Sequence, residues 1–280
     1  MIRINNLSYT YPDRTLALDG VDLSIEKGEF VALIGKNGCG KTTLVRHLNA
    51  LLMPTSGSIS VFGMDTTDTS NVWNIRQTVG MVFQNPQTQF VGTTLEEDVA
   101  FGPENLALPQ NEIQERVDRS LREVDLLEYK TYSPKTLSGG QMQRAAIAGI
   151  LAMEPQCIVL DEVTSMLDPQ SRSNVLDTIA QLHQSGKTII YVTQRIEEIL
   201  PIADRIISMN NGRIEFVGTP KEYLASVESP IPAVTSLMRK LKAKGFDVNG
   251  NVFTVDDALL EITKATQVRD KNKTETSGNG

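Results

Sequence analysis

Apolar positions follow two different patterns along this chain. Residues 1 to 30 alternate, with Ile2, Ile4 and Leu7, then Leu18, Val21, Leu23 and Ile25, around a turn at Pro12-Asp13-Arg14, as half-buried antiparallel strands do. By contrast, the stretches 30–34, 79–83, 157–160 and 188–192 are short, largely apolar runs suited to strands buried on both faces. Further strands are expected over 58–62, 205–209 and 213–217, the last two joined by a turn at Asn210-Asn211-Gly212. Helical spacing of Ile113, Val117, Leu121, Val124 and Leu127 predicts a helix over 111–128, with Arg116, Arg119, Arg122 and Glu123 on its polar faces. A second helix is expected over 142–151, burying Ile147, Ile150 and Leu151 among alanines. After Thr219-Pro220 the composition changes: Glu228-Ser229-Pro230-Ile231-Pro232 is linker-like, 237–244 is a basic helix fragment, and 252–262 reads as a strand plus a helix. Residues 266–280, rich in Lys, Thr, Asn and Gly, are expected to be disordered.

Between the first buried strand and a helix lies Gly35-Lys36-Asn37-Gly38-Cys39-Gly40-Lys41-Thr42, which fills every position of the phosphate-loop pattern GxxxxGK[ST]. Its glycines let the backbone curl so that successive N–H groups and the helix start point at phosphate oxygens. Lys41 would then reach the β- and γ-phosphates, and the Thr42 hydroxyl would sit on Mg²⁺. The strand over 157–160 ends in Asp161 and Glu162. The first is placed to hold Mg²⁺ through water and the second to take a proton from an attacking water. Gln84 closes the strand over 79–83 with a neutral amide that can bind Mg²⁺ or that water without adding charge, and the irregular segment 85–92 behind it can relay movement. Leu137-Ser138-Gly139-Gly140-Gln141 opens a helix and makes a second anion-binding nest, so a nucleotide gripped by both nests would take the second from another copy. Tyr9 and Tyr11 share one strand face, and either ring could stack on a purine.

Composition narrows the partners. The 280 residues allow one large α/β domain with a small appendage. No apolar run approaches the ~18 residues of a membrane span, and no basic, apolar leader opens the chain, so a soluble cytoplasmic protein is expected, with any membrane association through a partner. A net charge of -7 argues against a nucleic-acid backbone as substrate, and the cysteines Cys39 and Cys157 form no disulfide framework.

With the phosphate loop, Gln84, Leu137-Ser138-Gly139-Gly140-Gln141 and Asp161-Glu162 in this order, residues 1 to 220 resemble the nucleotide-binding subunit of ATP-binding-cassette transporters. The stretch Val82-Phe83-Gln84-Asn85-Pro86-Gln87-Thr88-Gln89-Phe90 and the C-terminal extension are similar to the ATPases of energy-coupling-factor transporters, which import vitamins or cobalt and nickel ions. The resemblance implies an α/β fold: a P-loop NTPase core with an antiparallel β subdomain, a helical subdomain over about 85–155, and a small α/β extension over 221–265 that holds two ATPases together. It also implies a head-to-tail dimer binding ATP and Mg²⁺ between the phosphate loop of one subunit (Gly35, Asn37, Gly38, Cys39, Gly40, Lys41, Thr42 and Thr43) and Ser138, Gly139, Gly140 and Gln141 of the other. Tyr11 matches the aromatic that stacks on adenine. Gln84 matches the glutamine loop and, with Thr42 and Asp161, the metal site; Glu162 matches the catalytic glutamate. Asp168, in Ser165-Met166-Leu167-Asp168, matches the contact to the partner's site. A transmembrane coupling subunit and a substrate-binding membrane subunit would complete the complex on the cytoplasmic face, with the segment after Gln84 receiving the coupling helices.

One position departs from the pattern. The family's switch histidine follows a Thr at a strand end, and here Thr193 is followed by Gln194, which cannot become cationic or pass a proton. Slower hydrolysis is expected, and the departure favours a non-identical ATPase partner over a homodimer. Other readings are an ATPase of another cassette transporter, a DNA-repair or chromosome-associated cassette ATPase, which would need a coiled-coil insertion this chain has no room for, and a weakly hydrolysing ATP-clamp adaptor.

Overall fold

The computed structural model describes residues 1–226 and 231–276, with side chains described through residue 266. Strand β1 (Ile2–Thr10) pairs antiparallel with β2 (Leu16–Ile25), Ile2 facing Ile25 and Tyr9 facing Leu18. The ladder shifts between Ile4 and Leu7, where Asn6 takes a left-handed φ of 44°, a conformation asparagine tolerates. Leu7 thereby returns to the buried face after two exposed residues. Strand β3 (Phe30–Ile34) leads into α1 (Lys41–Leu48), and β4 (Ser56–Val61) pairs with β1 and with β5 (Met64–Asp65), giving one sheet of order β2-β1-β4-β5.

The second sheet is the frame of the site. It contains β3, then β6 (Val79–Val82), which follows α2 (Val72–Thr78). Next come the helices α3 (Leu95–Asn105), α4 (Gln110–Glu123) and α5 (Gly139–Leu151), then β7 (Cys157–Asp161), α6 (Pro169–Gln184) and β8 (Thr188–Thr193). After α7 (Ile196–Ile199) the strands β9 (Arg205–Asn210) and β10 (Arg213–Gly218) complete the order β10-β9-β3-β8-β7-β6. From β9 to β6 every pairing is parallel, with Ile34 beside Thr193, Val192 beside Asp161, and Leu160 beside Val82. The residues that follow β3, β8, β7 and β6 therefore leave the sheet at one edge, the usual position for ligands in parallel sheets. All residues of β3, β6, β7 and β8 are buried, which is why their sequences read as apolar runs without alternation.

The helix expected over 111–128 ends earlier, at Glu123. Asp125 turns left-handed (φ 58°), its N–H donates to the Arg122 carbonyl at 3.2 Å, and the Leu126 N–H donates to the Leu121 carbonyl at 2.8 Å. This is a Schellman stop, and it buries Val124 and Leu126 while terminating the helix, so helical spacing outlasts the helix. On α5, Ile150 is half-buried; its Cγ2 lies 2.0 Å from where a Cβ on Gly80 would be, so any larger residue there on β6 would require Ile150 to shift.

By compactness the chain divides into residues 1–194 with 204–217, and residues 195–203 with 218–280. The described part of the second unit is helical: α7, α8 (Pro220–Ser226), α9 (Ala233–Ala243) and α10 (Val255–Thr276). Met238, Val248, Val252, Ala258 and Ala265 form its small core. The stretch expected to open with a strand at Val252 pairs with no strand among the described residues and is tied to α9 by the Thr235 hydroxyl donating to the Val252 carbonyl at 2.7 Å. Where a disordered tail was expected from residue 266, α10 continues to Thr276, since the run 258–276 contains neither glycine nor proline. Residues 227–230, which take in Glu228 to Pro230 of the linker-like segment, and 277–280 lie outside the described residues.

Candidate active site

The phosphate loop, Gln84, Asp161, Glu162 and Gln194 follow the parallel strands β3, β6, β7 and β8 at their common edge, whereas Tyr11 follows β1 and Ser138 and Asp168 cap helices. Gly35 and Gly40 hold φ of 148° and 106°, and a Cβ on either would lie 2.3 Å from the Met209 carbonyl oxygen or 2.6 Å from that of Ala17. Gly40 precedes α1, leaving the first-turn amides of that helix directed at the loop. Lys41 is buried, its ammonium donating to the carbonyls of Gly35 at 2.8 Å and Lys36 at 3.0 Å, so the loop closes around its own cation. Cys39 is buried at the loop's base, beside that ammonium.

Thr42 donates from its hydroxyl to an Asp161 carboxylate oxygen at 3.3 Å. Burial pushes the Asp161 pKa up; the Thr42 hydrogen bond opposes this, Glu162 adds to it, and Arg46 and Lys41 oppose it. Sequence reading missed Arg46, although its place one turn after Thr42 on α1 puts both on one helix face.

Glu162 follows β7 in a left-handed conformation (φ 52°), held by its N–H donating to the Val192 carbonyl at 3.0 Å. A non-glycine residue held at such a φ stores about 1–3 kcal/mol and persists only where its surroundings fix it. From the end of β8, the Gln194 amide donates to a Glu162 carboxylate oxygen at 3.0 Å and to the Asn37 side-chain oxygen at 2.7 Å, joining the acid to the phosphate loop. Gln84 donates to the Ser165 hydroxyl at 3.2 Å, and that hydroxyl donates to the Glu162 backbone carbonyl at 2.7 Å. Ser165 is therefore the link between the glutamine after β6 and the acid after β7.

Ser138 and Gln141 cap α5 reciprocally: the Ser138 N–H donates to the Gln141 side chain at 2.8 Å, and the Gln141 N–H donates to the Ser138 hydroxyl at 3.3 Å. Gly140 packs against the start of α6, where a Cβ would come within 2.8 Å of the Ser171 Cβ. No hydrogen bond among the described residues joins Ser138, Gly139, Gly140 or Gln141 to the phosphate loop of the same chain. Asp168 caps α6, accepting from the Ser171 N–H at 3.0 Å, and its hydrogen bonds to the Ser171 side chain and backbone lower its pKa.

Comparison with known proteins decides what this edge serves. Residues 18–165 match the family model described as ABC transporter. The energy-coupling factor transporter ATP-binding protein EcfA of Methanosarcina acetivorans is 54% identical over 254 residues, covering 89% of this chain and 92% of that protein. The chain belongs to the energy-coupling-factor type of ABC transporter ATP-binding proteins. The solved structure of cbiO1 from Clostridium perfringens, described as part of the ABC transporter complex cbiONQ, superimposes with a TM-score of 0.77 at 34% identity, covering 87% of this chain and 95% of that one. A further ATP-binding cassette, solved as a dimer in a post-hydrolysis state with ADP and Pi, gives a TM-score of 0.70 at 30% identity and covers 79% of this chain and 99% of that one. This energy-coupling-factor cassette is an ATP-binding and ATP-hydrolysing enzyme, and its fold is that of ABC ATPases.

The chain's two histidines, His47 and His183, both lie away from Gln194's position. His183 Nε2 lies 3.2 Å from the Gly28 carbonyl and from Asp204. His47 is fully buried on α1, its Nδ1 2.8 Å from the Thr43 carbonyl. A carbonyl only accepts, so Nδ1 carries the hydrogen. Burial pushes the His47 pKa below 6.5, against the Thr43 and Met53 backbone groups, which raise it. An unfolded chain binds that proton from about 6.5 downward, so the stability from burying neutral His47 is complete above 6.5 and is lost as pH falls through the lower folded value. The urea midpoint of the natural protein should fall between about pH 7.5 and 5.5, and His47→Gln should flatten that fall. Identical slopes for the two proteins would contradict this assignment.

Proposed function

We propose that this chain hydrolyses ATP in a head-to-tail ATPase pair that powers uptake of a vitamin or transition-metal ion through an energy-coupling-factor membrane complex. Tyr11 stacks on adenine, the amides of Gly35 to Thr43 and the Lys41 ammonium hold the phosphates, and Ser138, Gly139, Gly140 and Gln141 of the other subunit close the site. The observation that carries this reading is the convergence of Lys41, Asp161, Glu162, Gln194 and, through Ser165, Gln84 on one sheet edge, while among the described residues no hydrogen bond ties the Ser138 turn to the phosphate loop of the same chain.

Mg²⁺ fits this edge: the Thr42 hydroxyl and Asp161 carboxylate are hard oxygen donors already within 3.3 Å of each other, and Mg²⁺ takes few protein oxygens beside phosphates and water. Thr42 and Asp161, with Gln84, would hold it, and when bound it neutralises charge on the phosphate oxygens. Glu162 takes the proton of the attacking water. Gln194 orients Glu162 and donates to a phosphate oxygen, and Asp168 contacts the partner's site. No helix among the described residues is long and apolar enough to cross a membrane, in keeping with a subunit held at the cytoplasmic face by a transmembrane coupling subunit and a substrate-binding membrane subunit.

A second reading, pairing with a non-identical ATPase that brings the switch histidine, is favoured by Gln194 standing at the strand end with its amide already shared between Asn37 and Glu162. Phosphate release from ATP and Mg²⁺ by the purified chain, with Glu162→Gln as background, separates the two. Activity above background that rises more than linearly with protein means identical copies form working sites. Activity that emerges only when a second ATPase subunit is added supports the non-identical pair, and release at background level with every partner present would overturn the ATPase assignment.

A further inference from the structure

Tyr11 lies just beyond β1, in a turn closed by its N–H donating to the Thr15 carbonyl and by the Arg14 N–H donating to its own, each at 2.9 Å. Its ring does not stand alone. The Tyr11 ring meets Tyr9 edge-to-face with centroids 4.9 Å apart, and Tyr9 meets the His47 ring in the same way at 4.8 Å. His47 Nδ1 donates to the Thr43 carbonyl at 2.8 Å, and the Thr43 hydroxyl lies 3.0 Å from the Tyr11 hydroxyl. The four residues thus form a closed circuit, Tyr11 to Tyr9 to His47 to the Thr43 backbone and back through the Thr43 hydroxyl, spanning the end of β1 and the helix that follows the phosphate loop.

Three properties of this circuit bear on nucleotide binding. Tyr9 is partly buried against the core and His47 is wholly buried, so the ring of Tyr11 rests on fixed neighbours rather than on solvent. An edge-to-face contact with Tyr9 leaves at least one face of Tyr11 uncovered by it. Thr43, which anchors two members of the circuit, stands two residues after Lys41, so the aromatic end and the phosphate end of the site share one residue. A ring that must be ordered on binding loses affinity to that ordering; a ring held beforehand does not.

We propose that Tyr9 and His47 are positioning residues for the base of the nucleotide, holding the Tyr11 ring ready to stack on adenine and tying it through Thr43 to the phosphate loop. This rests on Tyr11 being the adenine platform. It separates two contributions to ATP affinity: the circuit acts on the base and leaves the phosphate grip to the loop itself.

The test is calorimetric titration of the full chain with ATP and, separately, with inorganic triphosphate, both without divalent cation so that nothing is hydrolysed. Tyr9→Leu should weaken ATP binding by about three- to tenfold, the worth of an aromatic pair, and leave triphosphate binding unchanged. Tyr9→Phe should bind ATP as the natural protein does. ATP affinity unchanged in Tyr9→Leu, or ATP and triphosphate weakened by the same factor, would overturn the inference. Tyr9→Ile, whose β-branched side chain a strand favours, replaces Tyr9→Leu if the latter does not fold. Tyr11→Ala tests the underlying reading separately: if it leaves ATP affinity intact, Tyr11 is not the platform, whereas loss in Tyr11→Ala without loss in Tyr9→Leu removes only the role of the circuit.

Discussion

Glu162→Gln should reduce ATP hydrolysis by at least about a hundredfold while leaving ATP binding close to that of the natural protein. The substitution preserves almost everything the structure does with this residue. Its N–H still donates to the Val192 carbonyl, its carbonyl still accepts from the Ser165 hydroxyl, and an amide oxygen can replace the carboxylate oxygen that accepts from Gln194. The left-handed turn depends on those backbone bonds and not on the side-chain charge, so the site keeps its shape. What is lost is an oxygen able to take a proton, and a positioned proton acceptor is worth typically ~10²–10⁴ in rate. Phosphate release and ATP titration on the same samples check both halves. Turnover within about threefold of the natural protein would mean that Glu162 is not the base.

Much of the site could be read from sequence because its groups sit at the ends of strands buried on both faces. A run such as Cys157 to Leu160 admits few other readings, and a parallel sheet brings the ends of such runs to one edge whatever lies between them. Contacts across the chain were not legible in this way. Ser165 lies 81 residues from Gln84, and its role as their bridge to Glu162 depends on how the turn after β7 folds. Tyr9 showed only a shared face with Tyr11, because the residue that completes their surroundings, His47, belongs to another element. The early end of α4 was hidden for a different reason: Val124 and Leu126 are buried by the stop itself, so the apolar rhythm continues through residues that are no longer helical. At Asn6 the alternation breaks by one position, the mark of a bulge, yet only the backbone shows which residue turns left-handed.

Gln194→His should raise ATP turnover by at least about tenfold in complexes where this chain supplies both sites. A glutamine amide offers two N–H donors, and here they are met by Asn37 and Glu162, at 2.7 and 3.0 Å. To donate to a phosphate oxygen, Gln194 must give up one of these bonds, either loosening the loop or releasing Glu162, the proposed base. An imidazole in its place can be cationic beside Glu162 and the phosphates, and can hand on a proton, neither of which an amide can do. The gain should appear in turnover more than in the ATP concentration for half-maximal rate, since the phosphate loop is untouched. The variant should also show an alkaline limb near the ordinary histidine range that the natural protein lacks, because its imidazole loses its charge and its proton as pH rises there. Equal turnover and the same pH profile for both proteins would mean that the strand-end residue acts only by position, that glutamine does so as well as histidine, and that the departure at Gln194 gives no reason to look for a non-identical partner.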